Sequence, residues 1–431
     1  MNYRIYPPED ILQATVTMPL SKSVSNRALI ISAITDSPAP LAPVADCSDT
    51  RAMQHALASA DEHIDIGDAG TAMRFLTAYY ATREGRITLL DGSERMRHRP
   101  IAPLVGALRR CGADIEYAGE EGFPPLRITG RHLTGGDMSI DASVSSQFIS
   151  ALLMIAPLMD GGLRLQLEGD PASLPYIDLT IDMMCRAGAE AERYNDLITV
   201  APGAYDPSVT LPAEGDWSAA SYWYEIEAIT GGFLTIKGLN AGSRQPDRRV
   251  IDLFGALGAV TEPGEEDPAD LDLTGSPDVA PRLTADLAAT PDLTPAVAVT
   301  CAMIGVPFRL TGLQSLRIKE CDRIAAIAAE LLKIGVVTET IGDHTLTWDG
   351  RRRPIAELPV FDTYGDHRMA MALAPVSIYI PGIVVRDTGV ASKSYPEFWD
   401  DLRLAGFEVT DADSADGSAP QSSEEPSGDE S

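Results

Sequence analysis

Leu108-Arg109-Arg110-Cys111-Gly112-Ala113, Met184-Cys185-Arg186-Ala187-Gly188-Ala189 and Phe254-Gly255-Ala256-Leu257-Gly258-Ala259 each read as a last helical turn, a glycine and the start of a strand. Leu332-Lys333-Ile334-Gly335-Val336 and Leu402-Arg403-Leu404-Ala405-Gly406-Phe407 repeat the pattern. Glycine suits the position after a helix because it adopts positive φ without a Cβ clash. Upstream of each glycine, Thr71, Ser145, Ser218, Asp292 and Asp366 precede small and apolar helical runs at intervals of 74, 73, 74 and 74 residues. Their side-chain oxygens can accept from free N–H groups, so all five are predicted helix caps.

A sixth run follows Ser23, only 48 residues before Thr71. The spacing predicts six α/β units of about 74 residues, the first of them shortened. What it lacks is a strand pair after a second helix over 50–60. Strands are predicted at 86–90, 163–167, 233–236 and 308–311. Six units divide into two lobes of three. One lobe takes 18–214; the other takes 1–17 with 215–410. The chain crosses near 212–215, and again near 12–20 if the N-terminal strand pairs with the second lobe.

Lys and Arg number 34 against 63 Asp and Glu, a net charge of −29. Nucleic acid and anionic membranes are disfavoured as partners. Residues 411–431 carry seven acids and no base, a composition that predicts a disordered tail. The five cysteines are dispersed and the six histidines do not cluster at metal-ligand spacing, so neither a disulfide framework nor a metal site is expected. No run of 18 apolar residues occurs, and residues 1–8 lack signal or transit character. A cytoplasmic protein is expected.

Basic residues gather where helices begin: Ser21-Lys22-Ser23-Val24-Ser25-Asn26-Arg27, Asp68-Ala69-Gly70-Thr71-Ala72-Met73-Arg74, Lys319-Glu320-Cys321-Asp322-Arg323, Asp366-His367-Arg368, and Lys393 before the last helix. Helix starts attract anions. Each cluster alone also reads as a solvated cap or a surface ion pair. At repeat-equivalent positions they can converge on one cleft for a small, multiply anionic substrate. No GxxxxGK[ST] is present, which argues against a P-loop.

These segments resemble the motifs of the 5-enolpyruvylshikimate-3-phosphate synthase family. So do Arg95-Met96 with Arg99-Pro100-Ile101, Val144-Ser145-Ser146-Gln147-Phe148, Pro175-Tyr176-Ile177-Asp178 and Ser392-Lys393, in collinear order from about residue 20 to 400. The resemblance implies a two-lobed inside-out α/β barrel built from βαβαββ units. It implies transfer of the enolpyruvyl group of phosphoenolpyruvate to the 5-hydroxyl of shikimate 3-phosphate, by addition and elimination through a tetrahedral intermediate. It also implies a monomer, no metal or organic cofactor, and glyphosate as an inhibitor. By motif position, Lys22, Ser23, Arg27, Ser145, Ser146, Ser173, Tyr176, Asp292 and Lys319 would hold shikimate 3-phosphate. Lys22, Gly70, Arg74, Arg95, Gln147, Arg323, His367, Arg368 and Lys393 would form the phosphoenolpyruvate site. Lys22, Asp292 and Glu320 would be catalytic, the two carboxylates as acid and base.

The chain departs from the family pattern at Leu20, Asp68, Phe75 and Ser315, and in its short first unit. Two alternatives share the fold. UDP-N-acetylglucosamine enolpyruvyl transferases carry a reactive loop cysteine, whereas Cys111 reads as a packed thiol at a helix end. A non-catalytic binding protein would not require Lys22, Asp292, Glu320 and His367-Arg368 together.

Overall fold

A computed structural model describes residues 1–35, 42–143, 145–169 and 173–413. Six helices are buried on nearly every side: α1 (Lys22–Thr35), α2 (Gly70–Ala81), α3 (Ser146–Ile155), α4 (Trp217–Thr230), α5 (Thr294–Ile304) and α6 (His367–Leu373). Apolar or small residues around the whole circumference make a helix stable only in an interior. Accordingly α1, α2 and α3 pack on one another, as do α4, α5 and α6. The buried apolar residues fall into two clusters. One runs from Val24 to Leu211; the other joins Ile5, Leu12, Val16 and Met18 to residues from Trp217 to Val409.

Around these helices lie five four-stranded sheets with one strand order. In the first, His63–Asp65 runs parallel to Ile87–Asp91, followed by antiparallel Leu126–Thr129 and Asp114–Tyr117. Gly136–Asp141, Leu163–Glu168, Leu197–Val200 and Ala191–Tyr194 repeat it, as do Leu283–Asp286, Phe308–Thr311, Thr345–Trp348 and Glu339–Ile341. The strand Leu163–Glu168 alternates strictly between buried and exposed, as one-sided packing requires.

The other two sheets borrow from the N-terminus. Gln13–Thr17 pairs in parallel with Phe233–Lys237, and Tyr3–Tyr6 lies between Ile383–Val385 and Glu408–Asp411. The chain therefore passes twice between the two clusters. Ser21 N–H donates to the Glu214 carbonyl at 2.7 Å and Asp216 N–H to the Pro19 carbonyl at 2.8 Å, with Leu20 bridged to Gly215. Among the described residues, no strand lies between Thr35 and His63.

All five repeat glycines have positive φ, between 78° and 101°. The expected caps divide. Ser145 accepts from Gln147 N–H and Asp366 from Arg368 N–H. Asp216, two residues before Ser218, caps α4. Thr71 lies inside α2, where its hydroxyl accepts from the Gln147 amide. Asp292 sits in a 3-10 turn ahead of α5 and turns its carboxylate to cations instead of to backbone. The expected tail begins later than 411, because Asp411 pairs with Tyr3 and Ala412 N–H donates to the Asn2 carbonyl. The rest of that tail lies outside the described residues, as does Val144.

Within α4, the carboxyls of Glu225 and Glu227 are buried and have no hydrogen-bond partner among the described residues. Burial pushes Glu225 well above the ordinary carboxylate range and Glu227 up to about 7, from 4.5. The folded state keeps Glu227 protonated across a window in which the unfolded chain releases that proton. Its contribution to stability therefore falls as pH rises from 4.5 to about 7, and is level above. Glu227→Gln should match the parent near pH 4 and exceed it by about 3 kcal/mol at pH 8. Thermal melts across this range check it; a gain equal at both ends would show that Glu227 does not titrate there.

Candidate active site

The cleft between the two clusters is lined by the starts of α1, α2 and α3 on one side. The other side is made by Asp292, the segment 315–320, Arg323, His367 and Arg368. Of the residues expected at the site, Lys22, Ser23, Arg27, Gly70, Arg74, Ser145, Ser146, Gln147, Ser173, Tyr176, Asp292, Lys319, Glu320, Arg323, His367 and Arg368 all line it. Arg95 and Lys393 do not. Arg95 is exposed and donates to the Tyr364 carbonyl at 3.2 Å. Lys393 stands behind Glu320, at 3.6 Å from Oε1, and donates to the Asp68 carbonyl at 2.9 Å. Both contacts join one half of the molecule to the other, as does Ser173 N–H to the Ala288 carbonyl at 3.0 Å.

Arg323, 1% exposed, organises the second half. It donates from Nη1 to Asp292 at 2.7 Å, from Nη2 to Glu320 at 2.8 Å, and from Nε to Asp366 at 2.7 Å. Arg368 Nη2 reaches the other oxygen of Asp292 at 3.0 Å, and Lys319 Nζ lies 3.5 Å from the first. Burial by itself would raise the Asp292 pKa, but Arg368, Lys319 and Arg323 outweigh it and hold the group well below the usual range. Glu320 is likewise held low against burial, by Arg323, Lys393 and Arg99. Both carboxylates are therefore ionised.

In the first half, Lys22 forms an ion pair with Asp49 at 3.2 Å. Burial disfavours its charge, yet Asp49 and Cys47 leave its pKa raised, so Lys22 stays protonated. Arg27 donates from Nε to Thr180 Oγ1 at 2.8 Å, from Nη1 to the Ser23 carbonyl at 2.9 Å, and from Nη2 to Ser150 Oγ at 3.3 Å. Its guanidinium lies 5.4 Å from the centre of the Phe75 ring, which gives that departure from the family pattern a packing role. Burial, then Lys22 and Arg368, drives His367 well below its ordinary value. It is a neutral imidazole whose nitrogens have no hydrogen-bond partner among the described residues, the nearest carboxylate oxygen being Asp366 Oδ1 at 3.6 Å from Nδ1.

Asp49 and Arg99 also line the cleft, with Ser315 and Phe148. Asp49 sits in the first turn of the helix Ser48–Ala58, where an acid reads as ordinary dipole compensation. Nothing local marks it as the partner of Lys22. Among the described residues, no group of three or more His, Cys, Asp or Glu could hold a metal ion. No helix among them is long and apolar enough to cross a membrane.

Known proteins are similar to this chain along most of its length. Residues 57–402 match the family model of EPSP synthase (3-phosphoshikimate 1-carboxyvinyltransferase). The 3-phosphoshikimate 1-carboxyvinyltransferase of Bacteroides fragilis (strain YCH46) is 47% identical over 411 residues, 95% of this chain and 99% of its own. That of Methanospirillum hungatei is 37% identical over 418 residues, covering 89% and 94%. A solved EPSP synthase from Acinetobacter baumannii is 21% identical and superposes with a TM-score of 0.75 over 95% of this chain and 100% of that one, which shows the same fold. With the match running through both halves and across the cleft between them, the chain belongs to the EPSP synthase family.

Proposed function

We propose that this shikimate-pathway enolpyruvyl transferase binds shikimate 3-phosphate and phosphoenolpyruvate together in the cleft. There the 5-hydroxyl of the first attacks C2 of the second, C3 takes a proton, and the tetrahedral intermediate expels phosphate. The charge of the cleft carries this reading. Of the charged residues lining the cleft, Lys22, Arg27, Arg74, Arg99, Lys319, Arg323 and Arg368 outnumber Asp49, Asp292 and Glu320, in a protein of net charge −29. Such an excess of cations in a partly desolvated site suits two small, multiply charged anions.

Ser23, Arg27, Ser145, Ser146, Ser173, Tyr176, Asp292 and Lys319 hold shikimate 3-phosphate. Gly70, Arg74, Arg95, Gln147, Arg323, His367, Arg368 and Lys393 serve phosphoenolpyruvate, and Lys22 touches both. Asp292 and Glu320 move the protons. The surrounding cations keep both ionised. Bound anions offset that field, so the carboxylates become more basic as the substrates arrive. One can then take the hydroxyl proton and the other can deliver one to carbon. Lys22 stabilises the charge that gathers on the departing phosphate.

The matched sheets and the strandless helix pair Lys22–Thr35 and Ser48–Ala58 read as six βαβαββ units, the first shortened. Three form a lobe over 18–214 and three a lobe of 1–17 with 215–410, each an inside-out α/β barrel. The two separate buried clusters support that division. Contacts of Arg95 and Lys393 across the cleft suit closure over the substrates. A cytoplasmic monomer acting on small molecules completes the reading. The alternative that depends on a reactive thiol finds no support at Cys111, which is fully buried and pushed by burial up to about 11.

Phosphate release should require both substrates and vanish in Lys22→Met. Release that persists in the variant would remove the cleft from the reaction. Arg323→Lys replaces a planar fork by a point charge and leaves buried carboxylates short of partners. It should lower kcat by roughly 10²-fold or more and destabilise the fold by about 3 kcal/mol. Steady-state rates and thermal melts check this, and a variant with parental values in both would refute the role of the fork. A Cβ at Gly70 would lie 2.6 Å from Arg99 Nη1 and 3.0 Å from Arg74 Nη1. Gly70→Ala should therefore raise the phosphoenolpyruvate KM roughly tenfold and weaken inhibition by glyphosate; inhibition equal to the parent's would place that pocket elsewhere.

A further inference from the structure

Thr363, Tyr364, Gly365 and Asp366 make the tight turn that opens α6. Asp366 N–H donates to the Thr363 carbonyl at 2.9 Å, and both central residues have positive φ, 56° at Tyr364 and 67° at Gly365. Glycine enters that region freely, whereas a tyrosine there carries strain that its surroundings must hold. A buried acid holds it. The Tyr364 hydroxyl donates to Glu330 Oε1 at 2.6 Å. Glu330, with no side-chain exposure, also accepts from Asp362 N–H at 3.1 Å and pairs with Lys333 Nζ at 2.8 Å. Lys333 in turn donates to the Val360 carbonyl and to Asp362, each at 2.9 Å. The turn is thereby fastened to the end of the helix Arg323–Lys333.

The strained residue offers its carbonyl to the other half of the molecule. Arg95, exposed and just ahead of the 3-10 turn Met96–His98, donates to it from Nη1 at 3.2 Å. A Cβ on Gly365 would stand 3.3 Å from the same Nη1, so the turn fits closely around that nitrogen. A carbonyl fixes a guanidinium in place without neutralising it, as a carboxylate would, and leaves its charge for an anion.

We propose that Tyr364 is a positioning residue for the reaction: its hydroxyl, anchored on Glu330, holds a left-handed turn whose carbonyl stations Arg95 between the two halves to meet phosphoenolpyruvate. Tyr364 touches no reacting atom and acts through Arg95. Its 41% exposure suits a residue kept for its hydroxyl and backbone more than for packing. This inference rests on the assignment of Arg95 to phosphoenolpyruvate.

A double-mutant cycle tests it. Tyr364→Phe removes the hydroxyl alone and should raise the KM for phosphoenolpyruvate about fivefold, the scale of one hydrogen bond. The KM for shikimate 3-phosphate should keep its parental value. Arg95→Met should raise the phosphoenolpyruvate KM by about tenfold or more, and in that background Tyr364→Phe should add nothing further. Tyr364→Asn loses the anchor but tolerates positive φ. It should give a smaller rise, and it keeps the cycle available if the phenylalanine variant does not fold. Parental constants in both Tyr364 variants would overturn the proposal, as would a rise that persists undiminished once Arg95 is replaced. A parental KM in Arg95→Met would instead remove Arg95 from the phosphoenolpyruvate site, with Lys22→Met still deciding the cleft.

Discussion

The second half of the molecule depends on one buried cation. The Arg323 guanidinium binds Asp292 ahead of α5, Glu320 just upstream of its own helix, and Asp366 at the cap of α6. Three chain segments far apart in sequence are thereby fixed to a single planar fork. Such a cluster gains less stability than its contacts suggest, because four charged groups must leave water. Its value is geometric: removing any partner strands the others, so the segments share one arrangement. That arrangement presents Asp292 and Glu320 to the cleft as ionised groups, with Arg368 and Lys319 closing the charge around Asp292.

The first half contributes the opposite balance. Lys22 is paired with Asp49, but Arg27, Arg74 and Arg99 have no carboxylate ion pair among the described residues. Excess acid elsewhere on the chain leaves this positive cleft a local exception within an acidic surface. Cations paired with carboxylates on one wall and unpaired on the other give the site an asymmetry suited to chemistry. One wall can move protons, and the other can hold anions. His367, buried and neutral, stands where the two walls meet and adds no charge to either.

Much of this was legible before folding. The glycine after each helix needs positive φ, and that need shows in sequence because it depends on a single residue. Ser145 and Asp366 cap helices for an equally local reason. Asp292 fits the same pattern by type and interval, yet three cations draw its carboxylate away from the backbone. A cap and an ion-pair partner require the same residue, so type and spacing cannot separate the two uses. Arg95 and Arg99 pose the same problem. Both belong to one motif four residues apart, and only the turn between them decides which one faces the cleft. Asp49 carried no signal at all, since an acid in a first helical turn is commonplace.

By itself the sequence determined the helices, their terminating glycines and the set of ionisable groups available for chemistry. These follow from backbone preferences and apolar periodicity, which act over a few residues. The tertiary structure alone decided which strands the two N-terminal ones pair with, that Arg323 gathers three carboxylates, and that Arg99 stands against Arg74 over Gly70. Strand pairing across hundreds of residues and the balance of charge in a desolvated cleft depend on distances through space, and those exist only once the two halves have packed.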